Sequence, residues 1–256
     1  MLLVRLDAIF QWNPKMNTKD IRQNRPTQTT SSFNELEQFA HLVSHDLKSP
    51  LRNIGSYAQL LKRRYYNHLD SDANDFLDYI VSNAKVMTDI LTDLLELSTI
   101  DDDNEVRTVT NFNDLFERVK LDLKATIHQN DAIIECDTPL PTLRVQCNSI
   151  SLLMHHLIEN SVKFRNGMAP HILISAQPLD NLATWQFSVK DNGVGLDESY
   201  HEKAFQPFQR LTNRERPGSG MGLAICRKVV RLHGGDIWYN RNHNDDGTTF
   251  HFTIPQ

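Results

Sequence analysis

Residues Phe39 to Leu51 read FAHLVSHDLKSPL, and the rest of the architecture depends on what this stretch forms. Leu42, Val43, Leu47, Leu51 and Ile54 recur at three- and four-residue steps, the buried stripe of an amphipathic helix. His45 lies off that stripe, with Asp46 beside it, Ser49 one turn on and Pro50 immediately after. Proline lacks an N–H and frees the carbonyl of Asp46, so a helix that bends just past the histidine is expected. Taken alone, the segment reads first as an ordinary surface histidine near a helix kink, and only the motifs downstream shift that reading.

On the N-terminal side, the polar stretch NRPTQTTSS closes residues 1 to 30, which read as a tail or linker. Ser31 or Ser32 is placed to cap the helix, with Glu35 set for a capping box, giving an expected span of 33–66. NHLDSDAND makes a turn, and Phe76, Leu77, Ile80, Val81, Met87, Ile90, Leu91, Leu94 and Leu95 predict a second helix over 73–99. Two such helices cannot bury both stripes alone. The expectation is therefore an all-α helical hairpin that pairs with a second copy as a homodimeric four-helix bundle, over residues 31–100. The competing arrangement packs the hairpin on its own C-terminal domain.

The chain of 256 residues has room for two domains, and 39% hydrophobic with 23% charged residues is a globular composition. A formal net charge of −5 and the lack of a dense basic stretch argue against a nucleic-acid partner. The three cysteines form no CxxC, which argues against a zinc site or disulfide framework and fits a reducing, cytoplasmic setting. MLLVRLDAIF is too short and too charged for a signal peptide or membrane span.

The acidic run IDDDNEV marks the expected boundary, and residues 108–256 read as a second domain. Helices are expected at 113–128, 148–164 and 221–233. Strands are expected at 131–137, 143–146, 171–177, 184–190, 236–240 and 248–254. That order predicts an α+β sandwich, one sheet with helices on one face. Five of the ten glycines sit in DNGVGL (191–196) and GSGMGLA (218–224). Glycines opening a helix let backbone N–H groups approach phosphate, though neither cluster fits a P-loop or a dinucleotide fingerprint. On HHLIENSVKFRN (155–166), His156, Asn160 and Lys163 share one helical face while Ile158 and Val162 turn elsewhere. The Asn160 amide oxygen suits Mg²⁺, Lys163 offers charge to phosphate, and Asp191 can accept from an exocyclic amine, which favours adenine over guanine.

Together these segments resemble the sensor histidine kinases of two-component signalling, from about Phe33 to the C-terminus. SHDLKSPL is similar to the family's H-box, HHLIENSVKF to its N-box, DNGVGL to G1, FQPFQRL (205–211) to the F-box and GSGMGLAI to G2. RLHGGDIWYN, GTTFHFTIP and FQRL look most like the output modules of phytochrome-type kinases. The resemblance implies a dimerisation and phosphotransfer hairpin followed by an ATP-binding domain of the Hsp90, gyrase and histidine kinase fold. It implies His45 as phosphoacceptor and Asp46 as general base. Phe164, Gly193, Gly195, Phe208, Arg210, Gly218, Gly220, Gly222 and Leu223 then join Asn160, Lys163 and Asp191 around ATP, with Mg²⁺ on Asn160 and His156. Residues 196–217 would form a mobile lid carrying Arg210, Arg214 and Arg216. The phosphoryl group would pass to an aspartate on a separate response regulator, since no receiver domain occurs in this chain.

Two positions depart from the family's pattern. His156 stands where the N-box usually has asparagine; a nitrogen ligand is poor for Mg²⁺, so weakened Mg²⁺ affinity with activity retained is expected. Ser49 stands where phosphatase-competent members have threonine or asparagine; it keeps a hydroxyl without β-branched stiffness. Only some thirty unpatterned residues precede the H-box, which leaves open a separate sensor protein or a truncated product. A catalytically weak pseudokinase acting as a dimeric scaffold, and an ATPase without phosphohistidine, are the alternatives.

Overall fold

The computed structural model describes residues 28–100, 105–179, 183–211, 218–242 and 247–256, with side chains described from Asp46 onward. Contacts divide the chain into two units, residues 1–39 and 40–256. Apart from the helical backbone that begins at Gln28, the described structure belongs to the second unit.

Helix α1 spans Gln28–Tyr65 and runs through Pro50. It begins upstream of the expected Ser31/Ser32 cap, so those serines lie inside the helix. A short 3₁₀ turn, Tyr66–His68, leads to α2, Ser71–Thr99. Asp70 starts α2 two residues earlier than expected because its carboxylate accepts the N–H of Ala73 at 2.8 Å. The two helices cross where side chains are small: a Cβ built on Gly55 would meet the Ala84 Cβ at 3.5 Å, and Ala58 and Ala84 are buried. Lys62 pairs with Asp78 at 2.5 Å near the turn. The stripes read from sequence are only partly consumed by this crossing: Leu51 is buried, but Leu47, Ile54, Phe76, Ile80 and Met87 remain exposed, as do Tyr57 and Leu61.

The rest of the unit is α+β. In order it comprises β1 (Thr108–Asn111), α3 (Phe112–Asp122), α4 (Lys124–Gln129), β2 (Ile133–Cys136), β3 (Thr142–Val145) and α5 (Cys147–Lys163). There follow β4 (His171–Leu179), β5 (Thr184–Asp191), α6 (His201–Ala204), α7 (Gly222–Leu232), β6 (Ile237–Arg241) and β7 (Thr248–Pro255). The main sheet has the order β2-β4-β5-β7-β6; β2 and β4 are parallel and the other pairs antiparallel. Alternation decides its buried face. Ile172, Ile174 and Ala176 of β4, Phe187 and Val189 of β5, and Phe250, Phe252 and Ile254 of β7 point into one core. Leu153, Met154, Leu157 and Ile158 of α5 and Ile225, Val229 and Val230 of α7 close it. Phe187 stacks between Phe112 and Phe252, centroids 4.8 and 4.9 Å away. Burying each such aromatic contributes about 1.5–3 kcal/mol.

Three local readings are corrected. The expected helix 113–128 is two helices, because at Leu123 the backbone leaves the α region (φ −87°, ψ 5°) and the side chain drops into the core. The strand near 143–146 does not join the main sheet; it pairs antiparallel with β1, a strand too short and polar to be read from TVTN. Part of the expected lid, 196–217, is built into the fold. Asp197 caps the turn Glu198–Tyr200, Tyr239 donates its hydroxyl to the Asp197 carbonyl at 2.7 Å, and Ala204 and Phe205 are buried.

Candidate nucleotide site

Helix α5 sets out the site. Its apolar positions face the sheet, which turns His156, Glu159, Asn160 and Lys163 toward a cavity of about 900 Å³. The floor is the end of β5. There Asp191 is buried, and its Oδ1 accepts the N–H groups of Gly193 and Thr248 at 2.8 and 3.0 Å, while Ser161 donates to Oδ2 at 3.4 Å. Burial pushes the Asp191 carboxyl above its ordinary value, and these three donors oppose the shift. Gly247 makes this possible: at φ +93° it packs so close to the Asp191 carbonyl that no Cβ would fit.

The opposite end collects positive charge and open donors. α7 begins at Gly222 with no side-chain cap at its N-terminus, so its first N–H groups and dipole present an anion site. A Cβ on Gly222 would lie 3.3 Å from His156 Nδ1 and 3.7 Å from Asn160 Nδ2, which locates both side chains at that helix end. The Lys163 ammonium lies against Gly218, and Arg210 also lines the cavity. Burial lowers the Lys163 pKa; Glu159 opposes this and Arg210 adds to it. Gly220 adopts φ +74°, with its would-be Cβ 2.7 Å from the Gln209 carbonyl, and so fits the glycine loop against the segment 208–209.

Of the residues singled out from sequence, His156, Asn160, Lys163, Phe164, Asp191, Gly195, Arg210, Gly218, Gly220, Gly222 and Leu223 line this one cavity. Gly193 sits beneath, as a donor to Asp191. Phe208 does not line it; at φ +62° its side chain is exposed. Asp46 and Ser49 are exposed on α1 and do not line the cavity. The His45 side chain, Arg214 and Arg216 lie outside the described residues.

Sequence reasoning missed the contribution of α2. Lys85, Asp89, Thr92 and Asp93 line the cavity. Ser219 donates to Asp93, Glu96 Oε2 lies 3.1 Å from His156 Nε2, and Lys228 of α7 donates to the Leu97 carbonyl at 2.8 Å. Burial pushes both Asp89 and Asp93 upward; for Asp93 the Ser219 bond opposes it. The signal was present as acidic residues at 89, 93 and 96 along one helical stripe, but the same stripe serves a solvated face equally well. Thr126 and Asn130 of α4 and its C-cap, and Thr248 of β7, complete the wall.

The residues fit a nucleotide: a buried acceptor at one end, cationic side chains and an open helix N-terminus at the other. The Asn160 amide fits Mg²⁺ as a hard oxygen donor, whereas His156 Nε2 is engaged by Glu96.

The chain joins a helical hairpin to this α+β cavity, and each part matches a known domain family. Residues 35–103 match the His Kinase A (phospho-acceptor) domain, and residues 147–256 match the Histidine kinase-, DNA gyrase B-, and HSP90-like ATPase domain. The chain belongs to the sensor histidine kinases. It is 39% identical over 222 residues to Cyanobacterial phytochrome A of Nostoc sp. (strain PCC 7120), covering 86% of this chain and 28% of that protein. It is 36% identical to Phytochrome-like protein Cph1 of Synechocystis sp. (strain PCC 6803), covering 86% of this chain and 29% of that protein. The chain thus spans under a third of the length of these curated relatives. In fold it is similar to histidine kinase ThkA solved with response regulator protein TrrA (TM-score 0.59, 23% identity, 89% of this chain and 64% of that one). Full-length ShkA with AMPPNP is also similar (TM-score 0.62, 21% identity, 85% and 45%). Among the described residues no helix is long and apolar enough to cross a membrane.

Proposed function

We propose that this chain is an ATP-dependent protein histidine kinase that phosphorylates His45 and hands the phosphoryl group to an aspartate of a separate response regulator. The observation that carries the reading is one cavity holding Asp191, Lys163, Arg210 and the open N-terminus of α7, in a chain that also bears the SHDLKSPL helix. Asp191 accepts from the adenine amine. Lys163, Arg210 and the α7 N–H groups bind and orient the phosphates. Asn160 contributes an amide oxygen to Mg²⁺, which when bound screens the phosphate charge. A ring nitrogen of His45 attacks the γ-phosphorus, a P–N bond forms as the bond to ADP breaks, and Asp46 holds the proton on the other ring nitrogen as the imidazolium develops.

The exposed apolar stripes of α1 and α2 support a homodimer through the hairpin, since a second copy offers the same stripes in self-complementary form. A response regulator in trans is supported by the ThkA–TrrA likeness in fold, with Ser49 and the surface around His45 as its docking face. The reducing cytoplasm suits the free thiols of Cys136, Cys147 and Cys226. The weak-scaffold alternative draws on His156, whose ring is tied to Glu96.

The test is transfer of γ-labelled phosphate from Mg·ATP to the purified chain beside His45→Gln. Acid-labile, alkali-stable label that vanishes in the variant is expected. Nucleotide binding without any label overturns the kinase reading in favour of the scaffold.

A further inference from the structure

Helix α5 carries a second kind of chemistry beside the nucleotide residues. His155, His156 and Glu159 each place a ligand-competent atom within 4.8 Å of the other two. Spacings of three and four residues put Glu159 on the same helical face as both histidines. The two imidazoles stand perpendicular, centroids 6.0 Å apart. His156 is 8% exposed, and its two nitrogens are sorted by their surroundings. Nδ1 faces Gly222, leaving Nε2 toward Glu96 of α2, whose Oε2 lies 3.1 Å away.

That last distance is informative. Two ligand atoms about 2.0–2.1 Å from one tetrahedral ion lie roughly 3.3–3.4 Å apart, so Nε2 and Oε2, hydrogen-bonded at 3.1 Å, need to part by only a few tenths of an ångström to share an ion. Among His155, His156 and Glu159 the donors need to close by roughly 1.5 Å or less to reach that tetrahedral spacing. Glu159 is exposed and can do so by changing rotamer, and its exposure beside half-buried His155 leaves an entry path. Two imidazole nitrogens with carboxylate oxygens suit Zn²⁺ and its late first-row neighbours, and are unsuited to Mg²⁺.

We propose that His155, His156 and Glu159, joined by Glu96 from α2, form a binding site for a divalent transition-metal ion of the zinc class at the rim of the nucleotide cavity. The ion ties α2 to α5. Binding at this site is read without ATP, so it stands apart from the kinase reading.

The test titrates the chelator-stripped full chain with Zn²⁺ alone by calorimetry, and with Co²⁺ by its visible absorption. One saturable ion per chain is expected, undisturbed by excess Mg²⁺. His155→Ala and Glu159→Gln are each expected to weaken it by about tenfold or more, the scale on which ligand-shell changes act. Thermal unfolding of the stripped variants controls for folding; should His155→Ala be unstable, Glu159→Gln at its exposed position decides. Absence of saturable binding, or binding equal in both variants, overturns the proposal.

Discussion

Ser219 in the glycine loop donates its hydroxyl to Asp93 of α2, which brings the last third of the phosphoacceptor hairpin into the wall of the nucleotide cavity. Met221 N–H in turn donates to the Ser219 hydroxyl at 3.1 Å, so the loop that opens α7 is shaped by a residue 126 positions away. Asp93 and Asp89 also act electrostatically on Lys163, as would a triphosphate.

Asp93→Asn keeps the shape and removes the charge. ATP affinity is expected to rise roughly fivefold, from the ~1 kcal/mol of a unit charge at about 4 Å in a watery mouth. Titration with a fluorescent ATP analogue measures it, and unchanged or weaker binding counts against competition between Asp93 and phosphate.

Asp191→Ala strands the N–H groups of Gly193 and Thr248 in a buried place. The expected cost is about 1–3 kcal/mol of stability together with loss of nucleotide binding. Urea denaturation without nucleotide separates the first effect from the second; a variant that unfolds like the parent leaves Asp191 no structural share.

Gly220→Ala demands a left-handed residue with a Cβ 2.7 Å from the Gln209 carbonyl. Strain of about 1–2 kcal/mol falls on the loop rather than the sheet. Nucleotide affinity is expected to drop while the denaturation midpoint moves little, and the reverse pattern would reassign the glycine to the core.

His233 is buried, donating from Nδ1 to the Val229 carbonyl at 2.8 Å and accepting the Gln146 N–H on Nε2 at 3.1 Å. Burial holds its pKa below the ordinary value. The unfolded chain takes up this proton at about pH 6.5, where the folded ring still refuses it. Stability from this group is therefore complete above about pH 6.5 and is lost as pH falls from there toward the lowered folded value. His251, also lowered by burial, adds a slope of the same sign. His233→Gln is expected to flatten, without abolishing, the fall in urea midpoint between about pH 7 and pH 5; an unchanged slope removes His233 as its source.

Glu105 closes the start of α5, where Gln146 offers no side-chain cap. Its carboxylate accepts from Asn148 N–H at 2.7 Å and Ser149 Oγ at 2.9 Å, opposite the positive end of the helix. Glu105→Ala is expected to cost about 1 kcal/mol, read as a lower melting temperature. Equal melting would mean that water serves these donors as well.

Glu105 also illustrates where reading stopped. It lies in IDDDNEV, whose composition is that of a linker, and nothing local distinguishes a carboxylate that caps a helix 43 residues on. Periodic features were legible: β4, β5 and α5 lie within two residues of the spans that spacing predicted. The cavity residues were legible because glycine, asparagine and aspartate at those positions carry backbone and charge constraints of their own. Phe208 was read with its box as a unit, and in this fold it has a positive φ and an exposed ring. β1 was missed because four residues of TVTN acquire strand character only by pairing with β3. The entry of α2 into the site depended on pairings between distant segments, which periodicity does not encode.

Asp93, Glu96 and Leu97 meet Ser219, His156 and Lys228 from successive positions along one stripe of α2. Carried on one helix, the three attachments share a single support. A twist of α2 about its own axis carries all three away together, and the loop, the rim histidine and the α7 helix are freed in one step. A rotation of the hairpin would thus be felt at three walls of the nucleotide cavity at once.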